Sequence, residues 1–336
     1  MAFRRLAIAA CIVPLIPAPP SSAQAPERRW LPEPVLVASF VDEDGTLFGD
    51  PRGIVALPNG GFALSDWGED AIRAFFADGK SAWTFGRSGA GPGEFSFIQD
   101  IDVSPAGEVL VLDRGLGRAT IIDALTGQQV TSFSIRTAGH YGILPSSGPG
   151  RVLVIPASEK DKTLWVSVSE DGAALESAAA PVACDHSLAC EAFSATTGSM
   201  GAAVAFRWSS KVIFLNPDGS VRFVIDGLEE LPIPGVNTES TRIPEFGNAT
   251  VTRVDRSAGE AALGITGDES YLYVLFGGSG EERRRIVNVY SVANGDYLGS
   301  FLFPNSLAGL AILSDGSLAT LNRDLFPTVH IWELSW

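Results

Sequence analysis

From Val35 onward the chain is a succession of short stretches in which apolar residues alternate with polar ones or run together, each broken by a Gly, Pro, Asn or Asp cluster. A period of two with strong turn chemistry predicts many short β-strands rather than long amphipathic helices. The stretches repeat. Phe48, Ile54, Pro58, Gly60 and Asp66 recur at one constant spacing as Phe95, Ile101, Pro105, Gly107 and Asp113, and a later copy holds Leu310, Asp315-Gly316 and Asn322. That period is the length of a propeller blade.

Each copy carries the same internal grammar: an apolar stretch, a Gly turn, a second stretch ending in Asp or Asn, a third stretch, a second Gly turn and a fourth. The second turns are Asp78-Gly79, Thr126-Gly127, Asp171-Gly172, Asp218-Gly219 and Asn294-Gly295, pairs that supply the positive φ of a tight hairpin. Four strands per unit follow, with units starting near Ile54, Ile101, Ile143, Val204, Gly264 and Leu310. The last unit supplies only three strands, ending in Val329 to Leu334, so Val35 to Phe40 is expected to complete it. The fold expected is an all-β six-bladed β-propeller closed by pairing of the N-terminal and C-terminal strands, which removes open strand edges. A longer step before Asn294-Gly295 marks an insertion at residues 227–258, expected to be a long loop over one face.

The string Phe85-Gly86-Arg87-Ser88-Gly89-Ala90-Gly91-Pro92-Gly93-Glu94-Phe95, followed by Ile101, Gly107 and Val109 to Asp113, resembles the NHL-type six-bladed propellers. The resemblance covers blades one and two; the Gly-x-Gly-Pro-Gly-Glu-Phe linker is absent from blades three to five. It implies the fold, and it brings in enzyme classes found among similar propellers. A zinc-dependent peptide-amidating lyase would need three histidines in the channel, but the chain has only His140, His186 and His330, which do not assemble that way. A calcium-dependent lactonase-like hydrolase would need Glu, Asn and Asp at the channel ends of several blades, of which Asp100 and Asp102 are the available members. A serine hydrolase lacks its Gly-x-Ser-x-Gly elbow.

The first residues change the picture of where the propeller works. Arg4 and Arg5, the apolar run Leu6 to Ile16 and the small-x-small Ala23-Gln24-Ala25 read as a signal peptide over 1–25, cleaved after Ala25. Residues 26–336 then form one domain, periplasmic or secreted. The apolar run is too short for a spanning helix and holds Pro14, so no stable membrane insertion is expected. A lipidated N-terminus at Cys11, in Ile8-Ala9-Ala10-Cys11, is the alternative. With Cys11 removed, Cys184 and Cys190 remain, an even pair expected to form a disulfide. The competing use of Cys184, His186 and Cys190 as metal ligands lacks a fourth ligand nearby.

The formal net charge of −15 argues against a nucleic-acid partner. The one basic cluster, Arg283-Arg284-Arg285 after Glu281-Glu282, reads as a solvated hairpin tip with its own counter-charges. Asp42-Glu43-Asp44-Gly45-Thr46 begins like a calcium loop but lacks the later bidentate acid, so it reads as a charged turn and no cofactor is expected, calcium being the one to test. Asp66, Asp113 and Asn322 end second strands, where a short polar side chain bonds the following turn.

Propeller ligands sit where the innermost strands open onto the central channel, which selects Arg52, Gln99, Asp100, Asp102, His140 and Tyr141 as ligand-binding candidates. The architectural alternative has Arg52 and Asp100 neutralising one another around the channel. Taken together, the sequence points to an exported, non-catalytic propeller that binds a protein or small ligand through its channel-mouth loops, with the metal-dependent hydrolase as the competing class.

Overall fold

The computed structural model describes residues 27–41, 48–136, 140–148, 150–156, 163–180, 191–229, 231, 234–243, 247–255, 259–278, 280–323 and 326–336. Six four-stranded antiparallel sheets form the blades of a propeller ring. Their innermost strands are Pro51–Ala56, Ile98–Val103, His140–Pro145, Ala192–Thr196, Gly264–Gly267 and Gly309–Ile312. Each packs beside the next, and the sixth beside the first.

The hydrophobic pattern follows from position within the blade. Second strands such as Phe62–Asp66 and Leu318–Asn322 are buried at every residue, because neighbouring blades cover both faces. The outermost strand Ala174–Ala179 is exposed at nearly every position. Each interface between adjacent blades holds its own apolar cluster. That between blades one and two, for example, gathers Ile72, Phe95, Ile98, Val109 and Ile122, all almost fully removed from water. Indole N–H groups tie blades together across the same interfaces: Trp67 donates to the Ile98 carbonyl at 2.7 Å and Trp165 to that of Gly219 at 2.7 Å.

The ring closes as the repeat count requires. Val35–Val41 pairs antiparallel with Thr328–Glu333, from Val35 opposite Glu333 to Val41 opposite Thr328, as the fourth strand of blade six. Phe40 then packs against Phe62 of blade one, at 6.1 Å between centroids.

Asp66 and Asp113 fix how the chain enters each blade. Asp66 accepts from the backbone N–H groups of Gly49 (2.7 Å), Asp50 (2.8 Å) and Gly68 (3.0 Å). Asp113 does the same for Ser96, Phe97 and Leu116. A carboxylate at the end of the second strand thus satisfies the incoming segment as well as the following turn. Asn322 of blade six ties down its incoming segment with the opposite polarity, its amide donating to the Ser306 carbonyl at 2.7 Å.

Two expectations need correcting. Blade four does not start near Val204, which lies in its second strand, Ala202–Phe206; the innermost strand is Ala192–Thr196. Apart from Phe193 that strand holds only Ala, Ser and Thr, so it lacks the aliphatic anchor that marks the other blades. The insertion is also more than loop: Val236–Ile243 and Gly247–Val254 pair as a hairpin, from Val236 opposite Val254 to Ile243 opposite Gly247. Among the described residues this hairpin pairs with no blade strand.

Candidate functional site: the central channel and its mouth

The innermost strands of blades one, two, four, five and six enclose a cavity of about 420 Å³. Its wall is mainly apolar, with Ile54, Ala56, Ile101, Ala195, Ile265 and Leu310 among the lining residues. Gln99, Asp100, Asp102, Ser194 and Thr196 supply polar groups.

Asp100 and Asp102 occupy alternate positions of one strand and so point to the same side. Ser194 and Thr196 do the same on the innermost strand of blade four. The two pairs meet directly across blade three. The Ser194 hydroxyl donates to Asp100 Oδ2 at 3.3 Å, and the Thr196 N–H and hydroxyl donate to Asp102 Oδ2 at 3.1 and 2.6 Å. Blade three joins through the Ile143 N–H, 3.0 Å from Asp100 Oδ2. Asp102 Oδ1 accepts from the Val103 N–H at 2.8 Å. This close approach leaves no room at Gly142, where a Cβ would sit 2.5 Å from Ser194 Oγ.

Burial of both carboxyl groups disfavours their charged forms. It pushes Asp100 well above the usual carboxylate range, with the neighbouring Asp102 adding to the push against the lowering effect of the Ile143 N–H. Burial raises Asp102 to about 7, against the Thr196 and Val103 hydrogen bonds. Near neutral pH Asp102 is therefore divided between its protonated and charged forms.

Arg52 lines the cavity, but its partner is not Asp100. Its Nη2 lies 2.5 Å from Asp50 Oδ2, its guanidinium stacks 4.5 Å from the Trp67 ring centroid, and Arg323 takes the other oxygen of Asp50 at 2.5 Å. The expected neutralisation of Arg52 by Asp100 is replaced by two separate arrangements, because Asp100 turns toward blade four. Gln99 and Tyr141 are brought together by Arg114, whose Nη1 is 3.5 Å from Gln99 Oε1 and whose guanidinium is 5.5 Å from the Tyr141 centroid. His140 lies on the innermost strand of blade three; its side chain, Cys184, His186, Cys190, residues 1–26 and residues 42–47 lie outside what is described.

The Arg283-Arg284-Arg285 turn is solvated at Arg283, whose side chain is 42% exposed, but the ion-pair partner of Arg283 is Glu260 rather than a neighbour in the turn. Arg283 Nη2 is 2.5 Å from Glu260 Oε2, and Glu260 is completely buried. Arg207 pairs with the same Glu260 and, at 2.6 Å, with Glu191. Burial works to raise Glu260, but Arg283 and Arg207 outweigh it and hold the carboxyl below its ordinary range. Arg285 donates to the Phe303 carbonyl at 2.8 Å.

Sequence reasoning missed Ser194, Thr196, Arg114, Arg207, Glu260 and Arg323. Arg114 and Arg323 were findable, since each directly follows the Asp or Asn that ends a second strand, as Trp67 follows Asp66. Ser194 and Thr196 were hidden by the misplaced start of blade four.

No protein-family model matches the chain, and no curated protein matches it. A candidate exported protein from Bacteroides fragilis is 10% identical, with a TM-score of 0.58 and coverage of 90% of this chain and 95% of that one. Streptogramin B lyase is 12% identical, with a TM-score of 0.53 over 89% and 98%. The β-propeller domain of Myceliophteria thermophila Cps50 (Swd1) is 9% identical, with a TM-score of 0.52 over 90% and 100%. At such identities what is shared is the six-bladed propeller architecture.

Proposed function

We propose that the chain is an exported, non-catalytic propeller of the NHL type that captures a small molecule in its central cavity, admitted through the mouth where the innermost strands begin. The observation that carries this reading is the cavity itself: about 420 Å³, mainly apolar, with a few convergent polar groups. A site of that size and lining suits a small organic ligand. Capture of a protein by the mouth loops and the 236–254 hairpin is the broader form of the same reading. Export rests on the signal-like Arg4 to Ala25 segment, and one structurally similar protein carries an exported description. Among the described residues no helix is long and apolar enough to cross a membrane.

The competing reading, a calcium-dependent hydrolase, would take Asp100 and Asp102 as ligands. Both oxygens of Asp102 already accept protein hydrogen bonds, and among the described residues no three His, Cys, Asp or Glu side chains converge as a metal site. These observations favour binding. A thermal-shift comparison with calcium and with chelator separates the two, since the binding reading expects neither to move the transition.

The direct test is a ligand-observed NMR screen of fragment-sized molecules against the wild type and a Gly264→Phe variant. A Cβ at Gly264 meets only Leu310 Cδ2, at 3.4 Å, so the ring would enter the open channel. Fragments are expected to bind the wild type and to be displaced from the variant. Export carries its own test: denatured, unreduced mature protein should show no free thiol, from a Cys184–Cys190 bridge.

A further inference from the structure

Arginines cluster at the mouth where the innermost strands begin. Arg52, Arg207, Arg283, Arg284 and Arg323 gather there around Asp50, Glu191 and Glu260. Four of these guanidiniums are committed: Arg52 and Arg323 share Asp50, while Arg207 and Arg283 share Glu260. Arg284 is different. Its backbone is held against the segment that enters blade six, its N–H donating to Gly277 and its carbonyl accepting from Leu307, one residue before the cavity-lining Ala308. Among the described residues its guanidinium has no carboxylate within ion-pair distance.

Two further features mark Arg284 as more than a surface cation. Its φ is 63°, the left-handed region where glycine is free and an L-residue is strained. An arginine held in that conformation invites a functional reading. Its surroundings are also unfavourable to its charge: burial, and the nearby Arg283, Arg207 and Arg323, act against it, and only Glu260 acts for it. A guanidinium so placed gains most from an added anion. At the opposite end of the cavity the charge is reversed, with Asp268 on the wall and Glu269 and Asp315 in turns on that side.

We infer that the cavity takes a small organic anion, an apolar body ending in a carboxylate, with the carboxylate at the mouth against Arg284 and the committed pairs of Arg323 and Arg52, and the body against Ile54, Ile101, Ile265 and Leu310. This rests on the channel-binding reading above and adds to it the charge and orientation of the ligand. The planar fork of arginine matches a carboxylate in geometry as well as charge. On a chain of net charge −15 such a local reversal concentrates anions at one mouth only.

The test uses octanoate, octanamide and octylamine as probes, titrated calorimetrically into the mature wild-type protein and into Arg284→Gln and Arg284→Lys variants. Octanoate should bind more tightly than octanamide, octylamine least, and added salt should weaken octanoate alone. Arg284→Gln should weaken octanoate by about tenfold and leave octanamide unchanged, while Arg284→Lys retains part of the preference. Melting curves of both variants show whether each is folded. Equal binding of octanoate and octanamide, or an octanoate affinity untouched by a folded Arg284→Gln, would overturn the anion inference and leave the channel reading standing. Absence of binding by all three probes together with an empty fragment screen would overturn both.

Discussion

The Thr196 hydroxyl and N–H both donate to one oxygen of Asp102, from a strand two blades away. With Asp100 and Ser194 beside it, this contact makes a side-chain ladder between innermost strands that share no backbone pairing. The ladder draws blades two and four together past blade three, which is why the cavity lies toward the other side of the ring. Asp102→Ala should strand buried donors and cost about 2–4 kcal/mol, measured by urea denaturation, with Asp102→Asn milder because its amide oxygen still accepts. A double-mutant cycle with Thr196→Val should show a coupling of about 1 kcal/mol or more.

The same residue sets a pH dependence. Folding raises the Asp102 carboxyl from the range of an unfolded chain to about 7, so the folded state holds the proton more tightly. Its contribution is therefore greatest below the unfolded value and declines as pH rises from about 4 to about 7, then stays level. Comparing wild type with Asp102→Asn removes the contributions of the carboxyls other than Asp100, which Asp102 itself influences. Between pH 4 and 8 the difference should move in favour of Asp102→Asn by at most about 4 kcal/mol; parallel stability curves would show that Asp102 titrates normally.

Removing residues 27–41 should open the ring. It exposes the edge of Thr328–Glu333, whose Val329 and Trp332 are buried in the closed structure. An exposed apolar edge is a template for association. The truncated protein is expected to lose its single cooperative transition and to aggregate on size-exclusion chromatography; a monomer with an unchanged melting curve would refute closure by that strand.

Glu260 should be the most sensitive charged residue. Glu260→Gln removes the buried carboxylate that Arg207 and the more exposed Arg283 share, which should cost up to about 3 kcal/mol, read by chemical denaturation. Replacing the exposed Lys80 by Gln should leave the denaturation midpoint essentially unchanged, since its pairing with Asp78 is solvated.

The repeat made the architecture legible before any coordinates: Gly-bearing turns, Asp66 and Asp113 at strand ends, and a three-strand final unit together require a closed ring. Those signals are local, and local backbone chemistry is what sequence encodes most directly. The site was legible only in part. Asp100, Asp102, Arg52 and Gln99 were found because they lie in or beside strands whose start was plain, and the cavity does include them. Their partners depend on which blades approach across the channel, a property of the whole ring. The Ala, Ser and Thr of Ala192–Thr196 look unremarkable in sequence because a strand in a narrow channel needs small side chains. Glu281 and Glu282 precede Arg283 and read as its counter-charges, whereas its bonded partner is Glu260 from the preceding blade connection.

Ligand capture inside the ring is tested most directly by crystals of the mature protein soaked with the strongest binder from the fragment screen. Difference density should lie between the innermost strands, in contact with Ile101, Ile265 and Leu310 and oriented toward the Arg52 end of the channel. Density confined to the outer rim or to the 236–254 hairpin, with an empty channel, would contradict the account.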